Sequence, residues 1–169
     1  MNKYCTRMTA DEDSSTLIEV FSVRATMVIS LLVAGASVSP AQDFHAYQQH
    51  VAAAVAALKA EQAKEGKDCT NTKSQYEDNI CTAEAVKAAD TSLSVFYDNL
   101  KAILGRESQK DLQESQTAWL QYRTKACDAI FEFYKDGTIR KAEQARCETR
   151  LTRERMQDLD YLYESPLHH

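Results

Sequence analysis

The stretch that most constrains the fold runs from Gln116 to Cys127 and contains the only tryptophan of the chain. Trp119, Arg123 and Cys127 follow one another at intervals of four residues, so in a helix they lie along one stripe. The stripe combines a large apolar side chain, a permanent charge and a thiol that can form a disulfide. We therefore expect the rest of the chain to form helices that pack onto this face.

Residues 1–41 are interpreted as an upstream segment plus a secretory signal peptide. Arg24 precedes an apolar run over residues 25–36, and Ser39 and Ala41 suit the −3 and −1 positions of a cleavage site. The run is too short for a transmembrane helix, and no other segment is apolar enough to span a bilayer. A buried soluble helix is the alternative. Residues 11–13 are acidic, which is unusual for a leader, so translation from near Met27 is a second possibility.

No cysteine directly follows the apolar run, so no lipid anchor is expected. The signal predicts a periplasmic or secreted protein, in a Gram-negative bacterium. Removal of residues 1–41 takes away three of the 20 basic and four of the 25 acidic residues, leaving a net charge of −4. This balance excludes nucleic acid as a partner, because there is no basic excess to neutralise phosphates.

Four cysteines remain after cleavage, and an even number in an exported chain predicts two disulfides. They are Cys69, Cys81, Cys127 and Cys147. Their spacings of 12, 46 and 20 residues lack the close pairs that zinc sites use. We expect no metal site and no cofactor.

Hydrophobic periodicity predicts an all-α protein, a small antiparallel three-helix bundle with an additional N-terminal helix. The N-terminal helix, within residues 42–66, has a thin apolar stripe, so we expect it either to dock loosely or to serve as a spacer, and it is predicted to end at Gly66. The domain proper spans residues 67–163, and residues 164–169 form a frayed tail. Its helices are predicted over residues 75–104, 108–135 and 139–163, the first of them capped by Ser74 and Glu77.

The third of these helices is rich in arginine, with Glu143 and Glu154 at helical spacing from several of the guanidinium groups, so we interpret it as a solvated, ion-paired face. The arginines are Arg140, Arg146, Arg150, Arg153 and Arg155.

Level matching across the two predicted turns places one polar layer in the middle of the bundle. Its members are Asp90, Gln116, Trp119, Arg123 and Arg155. A structural clamp that joins three helices is the favoured interpretation, and a ligand-binding or catalytic site is the alternative.

The same matching brings Cys81, Cys127 and Cys147 to similar heights. Because a loop can bring Cys69 back towards Cys81, we favour the pairs Cys69–Cys81 and Cys127–Cys147. The alternative is Cys81–Cys127 with Cys69–Cys147.

From Cys69 to about residue 159 the chain resembles the LprI-like family of exported bacterial proteins, named after a mycobacterial lysozyme inhibitor. The residues that carry the resemblance are Asp68-Cys69, Tyr76-Glu77, Cys81, Ala89-Asp90, Leu93, Tyr97, Gln116, Ala118-Trp119, Tyr122-Arg123, Cys127, Gly137-Thr138, Cys147, Leu151-Thr152 and Arg155. The chain departs from the family pattern at Asp136, where a second glycine is usual, and it lacks the namesake's lipoprotein signal. The resemblance implies a helical, disulfide-bonded domain that inhibits a lysozyme.

Three functions follow as hypotheses. The first is inhibition of a lysozyme-like muramidase by protein–protein binding, with exposed Glu77, Asp78 and Asp136 as candidate contacts for a cationic target. The second is a periplasmic structural or interaction module, of immunity or envelope type, with a different protein partner. An enzyme is disfavoured, since no catalytic residues can be assigned and the histidines lie outside the core region.

Overall fold

The computed structural model describes residues 40–169, with side chains from residue 43 onward. The proposed upstream segment and most of the signal peptide lie outside these residues. The described part contains five helices and no strand: α1 (Pro40–Gln62), α2 (Gln75–Ile103), α3 (Arg106–Phe133), α4 (Arg140–Leu162) and α5 (Glu164–His168). The all-α prediction is therefore confirmed. None of the described helices combines the length and hydrophobicity needed to cross a membrane.

The ends of the helices follow local sequence signals, with two changes from the prediction. The Ser74 hydroxyl accepts a hydrogen bond from the Glu77 backbone N–H at 3.2 Å, as an N-cap does. The Glu77 carboxylate accepts from the Lys73 N–H at 2.8 Å instead of bonding back to Ser74. Helix α1 already ends at Gln62, and Gly66 lies in the turns that follow with a φ of +71°.

Helix α4 lies between α2 and α3 and packs against both, whereas α2 and α3 approach each other directly at few points. The predicted antiparallel bundle implied that α2 and α3 pack directly against each other, and the structure corrects this expectation. Their connection, Leu104 and Gly105, turns the chain back at once. The longer α3–α4 connection then brings α4 back so that it packs against both α2 and α3. As a result, α2, α3 and α4 meet in the middle of the fold, with α4 between the other two.

The core includes residues from all five helices: Ala54, Leu58, Leu93, Phe96, Leu100, Leu112, Met156, Leu159 and Leu167. Helix α1 is therefore an integral part of the bundle, and its description as a loosely docked spacer was wrong. Within its narrow apolar stripe, Ala54 and Leu58 are buried in this core. A hydrogen bond of 2.7 Å between His50 and Asn99 also joins the two helices.

The C-terminal segment is folded, in contrast to the frayed tail that was expected. Leu167 of α5 is buried in the core, and the Tyr47 hydroxyl donates a hydrogen bond to the Pro166 carbonyl at 2.7 Å. Pro166 ends the periodic pattern of α4 in sequence, but a new helix begins at Glu164. The tail therefore covers the open end of the core beside α1.

Candidate functional site

The polar layer centres on Arg123, whose guanidinium group connects three helices. Its Nη1 donates hydrogen bonds to Asp90 on α2 and, at 2.7 Å, to the hydroxyl of Thr152 on α4. The Thr152 hydroxyl in turn donates to Asp90 Oδ1 at 3.3 Å. The Arg123 side chain is 16% exposed and that of Asp90 is 42% exposed. This geometry makes the pair a partly solvated clamp across the bundle.

Trp119 lies between two guanidinium groups in the same layer. The Cζ of Arg123 is 5.2 Å from the ring centroid and that of Arg155 is 5.9 Å from it, so both are within cation–π range. Arg155 also donates to Gln116 at 3.1 Å and to the Ser115 hydroxyl at 2.8 Å. Burial lowers the pKa of Arg155, against the opposing attraction of Asp158. The structure thus brings together all five residues predicted for the layer.

Glu148 belongs to the same neighbourhood and was missed from the sequence. Burial raises the pKa of its carboxyl group, and the negative charges of Asp90 and Asp128 add to this effect, while the nearby charge of Arg123 opposes it. Thr152 was likewise not assigned to the layer. It lies one helical turn before Arg155, a spacing that places the two on one face of α4.

A second ion cluster, also missed, surrounds the buried Glu61 near the end of α1. Its carboxylate accepts hydrogen bonds from Lys64 at 2.7 Å, Ser92 at 2.8 Å and Arg153 at 3.1 Å. Burial raises the pKa of Glu61, but these hydrogen bonds outweigh it, so the net shift of the pKa is downward. Arg153 also donates to Asp68 in the α1–α2 connection.

The solvated face predicted for α4 is therefore only partly correct. Arg155 is buried. The Arg153 side chain is largely buried as well, and its carboxylate partners come from outside α4. The exposed ion pair of Arg150 with Glu154 fits the prediction.

Two disulfides hold the ends of the helices. Cys69 is bonded to Cys81 and Cys127 to Cys147, with Cα–Cα distances of 5.7 and 5.6 Å. This is the pairing favoured from level matching, and the alternative pairing is absent from the structure. The first bond holds the α1–α2 connection against α2, and the second joins α3 to α4. Among the described residues, no group of three or more His, Cys, Asp or Glu side chains is arranged to hold a metal ion.

The residues suggested for partner binding do not share one environment. Asp78 is buried, and it accepts a hydrogen bond from Arg146 at 2.6 Å, which corrects its assignment as an exposed contact. Glu77 and Asp136 are exposed. Because Asp78 contacts Arg146 and Tyr76 shares a surface groove with Lys141, the start of α2 and the α3–α4 turn lie at the same end of the bundle.

Four large apolar side chains are exposed at this end, and we call them the turn-end surface: Tyr76, Ile80, Phe133 and Ile139. Tyr76 and Ile80 are four residues apart on α2, yet neither side chain is buried in the core. The structure instead buries Asp78 and Thr82 there, because Asp78 has a cation partner on α4. An exposed aromatic and aliphatic group of this kind is typical of a protein-binding surface.

The disulfide-bonded region of the chain is similar to a known protein family. The family model described as lysozyme inhibitor LprI matches residues 66–159, more than half of the chain. The chain belongs to this family. The match spans both disulfides and the whole polar layer, as the sequence resemblance implied. The chain is also 27% identical over 111 residues to the uncharacterized protein R02472 of Rhizobium meliloti, covering 58% of this chain and 80% of that protein. No solved structure matches the chain.

Proposed function

We propose that the protein is an exported inhibitor that blocks a lysozyme-like muramidase by direct binding. The observation that carries this proposal is its membership of the lysozyme inhibitor LprI family. The two disulfides suit an oxidising compartment outside the cytoplasm, where such an enzyme acts.

We assign the contact to the turn-end surface. Its aromatic side chains, Tyr76 and Phe133, are among the residue types that dominate the energetics of protein interfaces. Muramidases, like other glycosidases, hold a pair of carboxyl groups in the cleft that binds substrate. Lys141 lines a groove with Tyr76 and supplies a cation that complements such a cleft. Exposed Glu77 and Asp136 nearby complement a cationic rim around it.

The polar layer has a structural role in this proposal. Asp90 and Arg123 satisfy each other, and Trp119 is half-buried between two guanidinium groups. Catalysis in this layer would require an acid or base that has no internal partner and lies within reach of a ligand. The layer instead keeps the three helices in register, which fixes the positions of the segments that carry the turn-end surface.

The test is equilibrium binding of the oxidised protein to a panel of purified muramidases of different structural types, by isothermal titration calorimetry. We expect one type to bind with a one-to-one stoichiometry. Tyr76→Ser should weaken that binding by at least tenfold, about 1.4 kcal/mol.

Tyr161→Ser is the matched control, since Tyr161 is 79% exposed against 74% for Tyr76 but lies at the opposite end of α4. Equal losses from the two variants would reject the assigned surface. Absence of binding to every muramidase type would reject the function, and a different protein retained from periplasmic extract would then favour an immunity or envelope module.

A further inference from the structure

A cavity of about 270 Å³ lies between α2, α4 and the α1–α2 connection, and its lining includes none of the four residues of the turn-end surface. Thr82 and Ala85 of α2 form one wall, and the connection contributes Asp68 and Cys69. The remaining wall is a face of α4 with polar side chains. The Cys69–Cys81 disulfide and the contact of Arg153 with Asp68 fix the connection in place, so the cavity is a built part of the fold.

Thr149 of α4 lines this cavity with a hydroxyl that has no internal partner. The residue is 5% exposed, and its Oγ1 makes no hydrogen bond to any described residue. Other helical threonines of the chain donate to the carbonyl four residues earlier, as Thr82, Thr91 and Thr124 do. Thr149 does not, so its buried hydroxyl is left without a partner among the described residues.

Arg153 provides the second buried donor. Its Nε donates to Glu61 and its Nη1 to Asp68, but its Nη2 has no hydrogen-bond partner among the described residues, although the side chain is only 11% exposed. Buried polar atoms in native proteins are almost always paired, so an unpaired one calls for an explanation. Thr149 Oγ1 and Arg153 Nη2 are the two such atoms in the described chain, and both residues line the one cavity.

The chemistry of these two groups favours a ligand that accepts hydrogen bonds. Arg153 Nη2 can only donate, and the Thr149 hydroxyl can donate as well. Of the carboxylates that line the cavity, Asp68 accepts from Arg153 and Glu154 accepts from Arg150, whereas Glu65 is exposed to solvent. At the rim, Arg150 is held by Glu154 in an exposed pair of adjacent helical turns, a weak interaction that a ligand can replace.

We propose that this cavity binds a small organic carboxylate, whose oxygens accept from Arg153 Nη2 and Thr149 Oγ1 while its apolar body lies against Ala85 and the Cys69–Cys81 disulfide. The volume is close to the lower limit of about 300 Å³ for small-molecule pockets, which restricts the ligand to a compact molecule. The site shares no residue with the surface proposed for muramidase binding, so either proposal can fail without the other.

The test is a titration of the exported, oxidised protein followed by ¹H–¹⁵N NMR, with benzoate as the probe and benzamide as its neutral twin of the same shape. Benzoate should shift the Thr149 amide and the Arg153 side-chain signals saturably. Benzamide should bind about tenfold or more weakly, because a hydrogen bond to a charged acceptor is stronger than one to a neutral acceptor.

Thr149→Val separates the proposal from a purely structural role, because it removes the hydroxyl at constant shape. We expect this variant to fold and to bind benzoate about tenfold more weakly. Thr124→Val, on the exposed face of α3, is the control and should leave binding unchanged. Equal binding of benzoate and benzamide, unchanged binding by Thr149→Val, or no saturable shift at these residues would each overturn the proposal.

Discussion

Arg123 on α3 and Asp90 on α2 are hydrogen-bonded to each other across helices that otherwise approach directly at few points. Thr152 of α4 bonds to both partners and completes a closed triangle. The middle of the bundle is thus held by a directional polar contact, with Trp119 packed beside it. The apolar core lies to one side, among α1, α2 and the ends of α3 and α4.

The Asp90–Arg123 pair should contribute measurably to stability, though less than a fully buried pair. Because Asp90 is 42% exposed, water screens part of the interaction. We expect Asp90→Asn to lower the free energy of unfolding by about 1 kcal/mol and Arg123→Met by about 2 kcal/mol, since Arg123 loses two hydrogen bonds and a cation–π contact. A double-mutant cycle by urea unfolding should give a coupling of about 1 kcal/mol, and a coupling near zero would refute the clamp.

Helix α1 should be essential for the stability of the core. Leu58→Ala removes a buried side chain from the α1–α2 contact and should lower the free energy of unfolding by about 2–4 kcal/mol. Leu162→Ala, at an exposed leucine of α4, serves as the control and should change it by roughly 0.5 kcal/mol or less. If both variants unfold at the same urea concentration, α1 is only a spacer.

The carboxyl group of Glu148 should reduce stability at neutral pH. Its folded-state pKa lies above the ordinary value, so the folded state holds its proton more tightly than the unfolded chain does. Stability from this group therefore falls as the pH rises from about 4.5 through the folded-state pKa. Glu148→Gln should raise the melting temperature at pH 7 and leave it almost unchanged at pH 4. Glu132→Gln, on the exposed side of α3, should have no such pH-dependent effect; a destabilised Glu148→Gln at pH 7 would contradict the assigned environment.

Glu61 should show the opposite dependence on pH. Its pKa lies below the ordinary value, so the stability that its ion cluster supplies is present above pH 4.5 and is lost as the pH falls through the lower folded-state value. Glu61→Gln should lower the melting temperature at pH 7, with the difference from the parent protein shrinking under acid conditions. A constant difference from pH 7 to pH 3 would show that the carboxylate charge is not what stabilises the cluster.

The Cys127–Cys147 disulfide should stabilise the protein mainly by restricting the unfolded chain. It closes a loop with a sequence separation of 20 residues, for which loop entropy gives about 3 kcal/mol. Cys127→Ala combined with Cys147→Ala should lower the free energy of unfolding by that amount in guanidinium titrations while the far-ultraviolet spectrum stays helical. Unchanged stability would mean that the α3–α4 pair is held by packing alone.

The helices and the polar layer could be predicted because their signals are local or follow from helix rise. Ser74, the turn at Gly105 and the spacing of Trp119 and Arg123 each act within one or two helical turns. The Glu61 cluster could not be found this way, because its partners Ser92 and Arg153 come from helices whose relative placement depends on α4 lying between α2 and α3. For the same reason, Asp78 was wrongly expected to be exposed: it is buried, and Arg146 on α4 pairs with it.

The most direct test of the proposed role is lysis of bacterial cell walls by a muramidase in the presence of the oxidised protein, followed by turbidity. We expect the rate of lysis to fall in proportion to added protein and to approach zero near one equivalent for a tightly bound enzyme type. Tyr76→Ser should shift the titration to higher concentration, and Tyr161→Ser should leave it in place. Undiminished lysis at large molar excess against every muramidase type would contradict it.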